Sequence, residues 1–283
     1  MYSTYSGLFI TIKPATMNLN EIFTRLWNGY ITQNPSAKRI HDLFADQGEQ
    51  VVNDHIAFRT FNDPRVNIDV LSEIFRKNGY EEMGSYDFKQ KKLDARHFEL
   101  PNDPNAPRVF ISELRLQEFP DAVKQIVQEF LDNIPVKLLQ SDKLIFSGNC
   151  WGLPEFATYQ ELLKHSEYAA WMYVYGFRAN HFTVSVNGLK KFKSLEEVNQ
   201  FLKDNGFILN TSGGEIKGTP TEMLQQSSTM AEVVPVIFKE GTYQIPACYY
   251  EFAKRFKDSN GNLYNGFIAK SADKIFESTD LKK

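Results

Sequence analysis

Cysteine is scarce in this chain of 283 residues: Cys150 and Cys248 are the whole supply. Two thiols do not indicate a disulfide framework, and a reducing compartment is the better expectation. Positive charge is not in excess either. With 32 Lys and Arg against 35 Asp and Glu the net charge is -3, so the basic footprint of a nucleic-acid binder is missing. Long hydrophobic runs are absent as well: none approaches the roughly 18 residues that a membrane-spanning helix needs. The opening MYSTYSGLFITIKPAT has no basic leader, and its apolar stretch GLFITI is shorter than the hydrophobic segment of a signal peptide. Residues 1–17 are therefore expected to be a tail, with Met17 an alternative start ahead of the amphipathic NLNEIFTRLWNGYI. These absences lead to the expectation of a cytoplasmic protein that binds neither nucleic acid nor membrane, its oligomeric state open.

What is present is a globular composition, 42% hydrophobic and 14% aromatic, in a chain long enough for one large domain or two fused modules. The order of its elements repeats, though the letters do not. NDHIAFRTF, residues 53–61, reads as a strand. PRVNIDVLSEIFRKNGY then places Ile68, Leu71, Ile74 and Phe75 at helical spacing and closes at Gly79. YEEMGSYDF and ARHFELP read as extended, and RVFISELRL alternates as a strand. Two helical stretches intervene, PDAVKQIVQEFLDNI and TYQELLKHSEYAAWMYVYG. The order then returns: strand RANHFTVSV, helix SLEEVNQFLKDNGF closed by Gly206, loop NTSGGEIKGTP, and strands AEVVPVIF and YQIPACYYEF. The fold class expected is α+β, with two pseudo-symmetric strand-helix-strand-strand-strand modules and added helices. One domain over 18–283 would hold module one at about 50–118, a helical insertion at about 119–176 and module two at about 177–256.

Polar residues fall at matching places in the two copies. His55 and His181 lie in the first strand of each, Glu113 and Glu251 in the last. Twofold-related modules would bring these positions toward one place. Two imidazoles and a carboxylate on one face of an Fe(II), Mn(II) or Zn(II) ion leave positions open for substrate and oxygen. Strand alternation puts His55, Ala57 and Arg59 on one face, as it does His181, Thr183 and Ser185, and Ala247, Tyr249 and Glu251. His55 would hold the metal, and Arg59, expected roughly 7 Å further on, would grip a substrate carboxylate. Arg59 could instead pair with Asp54 or Asp63. Glu113, open to roles as a fourth ligand, a neighbour of the ligands or a partner of Arg115, is placed outside the triad. His41 and His165 read as residues of solvated helix faces, and His97 as structural, although its strand could line the same cavity. TSGGEIKGTP lacks the phosphate-loop order and reads as a mobile hairpin whose Lys217 could face the pocket. Gln226, Ser227 and Ser228 could hydrogen-bond a polar ligand or belong to a capped loop.

NDHIAFRTF, ANHFTVSVNG and PACYYEFAKR, with SGNCWGLPEFATYQELLKHSEYAAWMYVYGFRANHFT ahead of the second strand, resemble the 2-oxoadipate dioxygenase/decarboxylase family over nearly all of residues 20–270. The resemblance implies a vicinal-oxygen-chelate fold and an Fe(II) site at His55, His181 and Glu251. It also implies a substrate-binding arginine at Arg59. The implied reaction is O2-dependent decarboxylation and hydroxylation of a 2-oxo acid, 2-oxoadipate giving 2-hydroxyglutarate, with no second co-substrate. Familiar members are much longer chains, so this sequence is expected to lack regions that shape their pockets. Two other classes compete: a glyoxalase- or epimerase-like metalloenzyme, favoured if Glu113 completes a four-ligand set, and a non-enzymatic small-ligand binding protein.

Overall fold

The computed structural model describes residues 17–276, so the first sixteen residues of the expected tail lie outside the described residues. Two helices come first, α1 (Leu19–Gln33) and α2 (Pro35–Asp46). α1 begins where Asn18 and Glu21 cap each other's backbone N–H groups, satisfying two donors that a helix start leaves unpaired. The first copy follows as β1 (Asn53–Phe61), α3 (Ile68–Arg76), β2 (Glu81–Phe88), β3 (Leu93–Glu99) and β4 (Arg108–Leu114). Next come α4 (Asp121–Asp132), α5 (Val136–Leu139), α6 (Phe156–His165) and α7 (Glu167–Tyr175). The second copy is β5 (Ala179–Ser185), α8 (Leu195–Asp204), β6 (Lys217–Thr219), β7 (Leu224–Ser228) and, after β8 (Val233–Phe238) and β9 (Gly241–Pro246), β10 (Glu251–Arg255). α9 (Ala269–Phe276) closes the described chain.

One curled eight-stranded sheet carries the order β2-β3-β4-β1-β5-β10-β7-β6. From the centre outwards each half runs first strand, last strand, third, second, which is the pseudo-symmetry expected from the sequence. The two halves meet where β1 and β5 pair antiparallel, His55 opposite Thr183 and Ala57 opposite His181. That register maps onto itself when the halves are exchanged. β1 is flanked by β4 and β5 and buried on both faces, so its polar residues His55 and Arg59 are held inside the protein and not on a solvated sheet face. Phe58 meets Phe75 of α3 on one face, while the residues of opposite parity line the interior of the curl.

Two segments of the second copy differ from expectation. AEVVPVIF and YQIP form a separate β8–β9 hairpin, which packs Tyr243 face to face on Phe156 of α6 at 3.6 Å. The strands that complete the module are β6 and β7, the latter being LQQSS, which the sequence presents as a loop. β7 is polar because its inward side chains serve the site instead of a core, so the alternation that marks a half-buried strand is missing. Ala247, Tyr249 and Glu251 do not share one strand either: β9 ends at Pro246, and β10 starts at Glu251.

α7 is buried from Tyr168 to its end and covers the interior at the far end of β1, where the Tyr168 hydroxyl accepts from Thr60 N–H and donates to the Ser112 carbonyl. It stops at Gly176, whose φ of 66° suits glycine, and where any Cβ would lie 2.1 Å from the Gly148 carbonyl oxygen. That close approach returns the chain to β5 two residues before the site begins.

Candidate metal centre

β1, β5 and β10 bring His55, His181 and Glu251 together, with ligand atoms all within 4.8 Å of one another. The register accounts for this. Thr183 lies opposite His55 on one side and opposite Glu251 on the other, and His181 lies opposite Ala57. Small side chains between the three large ones leave room for an ion. His55 Nε2 is 3.5 Å from Glu251 Oε1, and His181 Nε2 is 3.2 Å from Glu251 Oε2. All three residues are at most 4% exposed.

Both imidazoles have the Nδ1 side committed. His55 Nδ1 lies 2.8 Å from Asp54 Oδ1, and since a carboxylate only accepts, Nδ1 is the protonated nitrogen. His181 Nδ1 meets Asn180 Oδ1 at 3.0 Å. The Nε2 lone pairs are left turned toward the glutamate oxygens, while the Thr183 hydroxyl sits 3.0 Å from His55 Nε2. Lone pairs facing a carboxylate at this range repel unless a cation lies between them, so the donor set fits a divalent metal. Burial, then the nearby His55 and Arg59, pushes the His181 pKa well below its ordinary value, which keeps that imidazole neutral and able to ligate. Burial raises the Glu251 carboxyl, opposed by His55 and by a 2.6 Å hydrogen bond from Gln226 Nε2.

A buried ion pair supports this arrangement. Asp54 takes Arg255 Nε at 2.7 Å and Nη2 at 2.9 Å in a two-pronged contact, and Arg255 Nη1 donates to the carbonyls of Tyr264 and Gly266. The segment that reaches Phe267 is thereby drawn over the site, and its ring stands edge-on to His55 at 4.8 Å. Tyr249 stacks on His181 at 4.7 Å, its backbone carbonyl accepting from the Tyr30 hydroxyl. Three buried polar atoms close to the triad have no hydrogen-bond partner among the described residues: Tyr249 Oη, Asn180 Nδ2 and Gln226 Oε1.

Arg59 is on the same face of β1 as His55, four residues on. At about 3.3 Å per residue the Cα separation is roughly 13 Å, about twice the spacing expected from the sequence, because the side-chain repeat of a strand spans two residues. Arg59 is 1% exposed and its guanidinium lies over the rings of Tyr168 and Trp171, at 4.9 and 5.0 Å. Its partner is neither Asp54 nor Asp63: Nη1 meets Glu167 Oε1 at 3.0 Å.

Glu113 does not mirror Glu251. The position opposite Ala57 on β4, which answers Glu251 opposite Thr183, is Phe110. Glu113, opposite Thr60, is an odd number of residues away and faces outward, accepting from Ile68 N–H at the start of α3. His97 bonds the Tyr86 hydroxyl and Glu99, and Phe267 touches both its ring and that of His55. His41 lies beside Trp27 and His165 beside Glu161, both partly exposed. Lys217 is buried on β6 and donates to the Asn210 carbonyl. Ser227 bonds Asn199 of α8, and Gln226 bonds Glu251 of the triad. Glu167 and the Asp54–Arg255 pair escape sequence reading, since each joins residues more than a hundred positions apart.

Fold and site together define an α+β protein of vicinal-oxygen-chelate-like fold with a buried group of two histidines and a glutamate able to hold a divalent ion. A glyoxalase-superfamily protein from Ralstonia eutropha shares the fold at 22% identity, with a TM-score of 0.72 and coverage of 88% of this chain and 84% of that one. The chain belongs to the 2-oxoadipate dioxygenase/decarboxylase family, whose description matches residues 9–258. A curated relative of that name from Oryza sativa is 35% identical, covering 94% of this chain and 80% of its own. The crystal structure of hydroxyglutarate synthase in complex with 2-oxoadipate, also from Oryza sativa, is 32% identical with a TM-score of 0.87, covering 99% and 98% of the two chains. A Shewanella frigidimarina crystal structure, described provisionally as a hydrolase, is 50% identical with a TM-score of 0.85, covering 90% and 99%. The chain covers 98% of the Oryza crystal chain but 59% of the hydroxyglutarate synthase from Pseudomonas putida, so the expectation of longer relatives holds for some of them.

Proposed function

We propose that this protein is an Fe(II)-dependent dioxygenase/decarboxylase that converts 2-oxoadipate and O2 into 2-hydroxyglutarate and CO2. His55, His181 and Glu251 would hold the metal, and Arg59 the distal carboxylate of the substrate. The observation that carries the reading is the buried convergence of the triad, with Arg59 on the same strand face, in a member of this family. Fe(II) held by these three residues would supply a Lewis-acidic, redox-active centre.

The residues of the chain do the positioning. A six-carbon dicarboxylate has five C–C bonds of about 1.5 Å, a zigzag span of roughly 6 Å. With side chains reaching in from both ends, that length suits the wide separation of His55 and Arg59. A guanidinium packed over two aromatic rings offers a planar pair of donors, so it would fix which carbon lies beside the metal. Tyr249 Oη and Asn180 Nδ2 are donors, and Gln226 Oε1 an acceptor, free to meet the polar end of a ligand. Phe110 and Phe267, in contact at 4.9 Å, form an apolar wall that excludes water on one side.

The glyoxalase-like alternative needs a fourth ligand, and among the described residues none joins the three, Phe110 standing at the symmetric position. Oxygen-electrode assays of anaerobically reconstituted protein across 2-oxo acids, with CO2 measured in parallel, test the reading. Equal uptake of O2 and release of CO2 with 2-oxoadipate is expected. Turnover without O2 would favour glyoxalase- or hydrolase-type chemistry, and binding without turnover a carrier. Cytoplasmic residence belongs to the same proposal: among the described residues no helix is long and apolar enough to cross a membrane, while the Oryza relative is named chloroplastic/amyloplastic.

A further inference from the structure

Arg59 is a cation buried to 1% exposure, and its partner Glu167 is a side chain 30% exposed. The two ends of this ion pair are unequally held. The guanidinium is buried over the rings of Tyr168 and Trp171, whereas the carboxylate stands at the start of α7, after the cap Ser166, on the wall of a surface cleft of about 250 Å³. Arg59 forms part of that cleft, together with Lys91, Lys92 and His165. Arg59 also shares its strand face with the triad residue His55, so β1 links the cleft to the metal centre.

We infer that Glu167 is a stand-in carboxylate: it neutralises Arg59 in the empty protein and gives way to the distal carboxylate of a dicarboxylic 2-oxo acid arriving through this cleft. The inference rests on the proposed role of Arg59 and adds a competitor to it. A buried arginine without a counter-charge is costly, so an empty anion site benefits from an internal anion. A partly solvated carboxylate is the cheaper member of the pair to displace. Once displaced, Glu167 remains in the first turn of a helix, where negative charge is favoured, and beside the cationic side chains of the cleft. The same lysines would draw a dianion toward the mouth.

The test is anaerobic calorimetric binding of 2-oxoadipate and of 2-oxohexanoate, which has the same length and lacks the distal carboxylate, to Fe(II)-loaded wild type and Glu167→Gln. Removing the competitor should tighten 2-oxoadipate by roughly 3- to 5-fold, the upper end of the range for one partly exposed ion pair. Binding of 2-oxohexanoate should stay within about twofold, because its contacts are all at the metal end. Glu167→Ala should move in the same direction, and cooperative melting curves, lowered by the loss of the counter-charge, would confirm that both variants fold. Should wild type prefer the dicarboxylate while Glu167→Gln binds it equally or more weakly, Glu167 is a permanent orienting partner of Arg59 and the inference is overturned alone. If wild type binds the two acids equally, the Arg59 anchor fails and the inference fails with it.

Discussion

Asp54→Asn is the perturbation that probes most of the site from one position. Asp54 touches neither the proposed metal nor the substrate, yet it accepts from His55 Nδ1 at 2.8 Å and from Arg255 at 2.7 and 2.9 Å while only 5% exposed. Burial alone would raise its carboxyl, but Arg255 and His55 reverse that and hold it well below the ordinary range. Asparagine keeps the shape and one acceptor but loses the charge, and its amide nitrogen must face a donor on either His55 or Arg255. Breaking a buried pair costs about 3–5 kcal/mol. Since Arg255 keeps its bonds to the Tyr264 and Gly266 carbonyls, the loss should be near the lower end, about 3 kcal/mol. Loss of the carboxylate that orients His55 should weaken Fe(II) affinity by roughly 10- to 100-fold. Urea unfolding of chelator-treated protein reads the first quantity, and competition with a calibrated chelator reads the second. Stability within about 1 kcal/mol of wild type together with unchanged metal affinity would refute the reasoning.

Arg59→Lys should leave iron content unchanged and lower the specificity for 2-oxoadipate over monocarboxylic 2-oxo acids by about 1–3 kcal/mol, because a point charge replaces a planar pair of donors; an unchanged ratio of kcat/KM values would remove the dicarboxylate reading. Tyr249→Phe should not reduce the melting temperature of the substrate-free protein, since the hydroxyl has no partner among the described residues, yet should raise the KM for 2-oxoadipate by roughly 2- to 10-fold; an unaltered KM would mean that the hydroxyl faces no ligand. Glu113→Gln should retain the metal. Burial raises the Glu113 pKa, so the folded state binds this proton more tightly than the unfolded state, and the resulting stability is present at low pH and lost as pH rises through the raised value. The variant should therefore gain on wild type as pH rises above the carboxylate range of about 4.3, as read by unfolding at a series of pH values.

The central strands were legible because their signals are local. His55 and Arg59 share one strand, His181 begins its partner, and the helices after each show clear apolar spacing capped by Asn67 and Ser194. β7 was not legible, since a strand whose inward face carries Gln226 and Ser228 has no apolar alternation, while the valine-rich β8 outscored it with no place in the main sheet. Glu113 misled because matching strands do not guarantee matching residues. A one-residue error of phase turns a side chain to the other face, and the phase was visible only in the register of Ala57 with Phe110. Glu167 and Arg255 act through contacts across the chain, to which periodicity is blind.

The most direct measurement is iron stoichiometry alongside products, made in parallel on wild type, His55→Ala, His181→Ala and Glu251→Ala after anaerobic Fe(II) loading and dialysis against a mild chelator. Wild type should hold about one Fe(II) per chain, the number that one triad can bind, and should convert 2-oxoadipate to 2-hydroxyglutarate with one CO2 released per O2 consumed. Each variant should lose most of its iron and its oxygen uptake while remaining folded by circular dichroism. Full iron occupancy in all three variants, or a loaded wild type that consumes no O2 with 2-oxoadipate, would contradict the assignment.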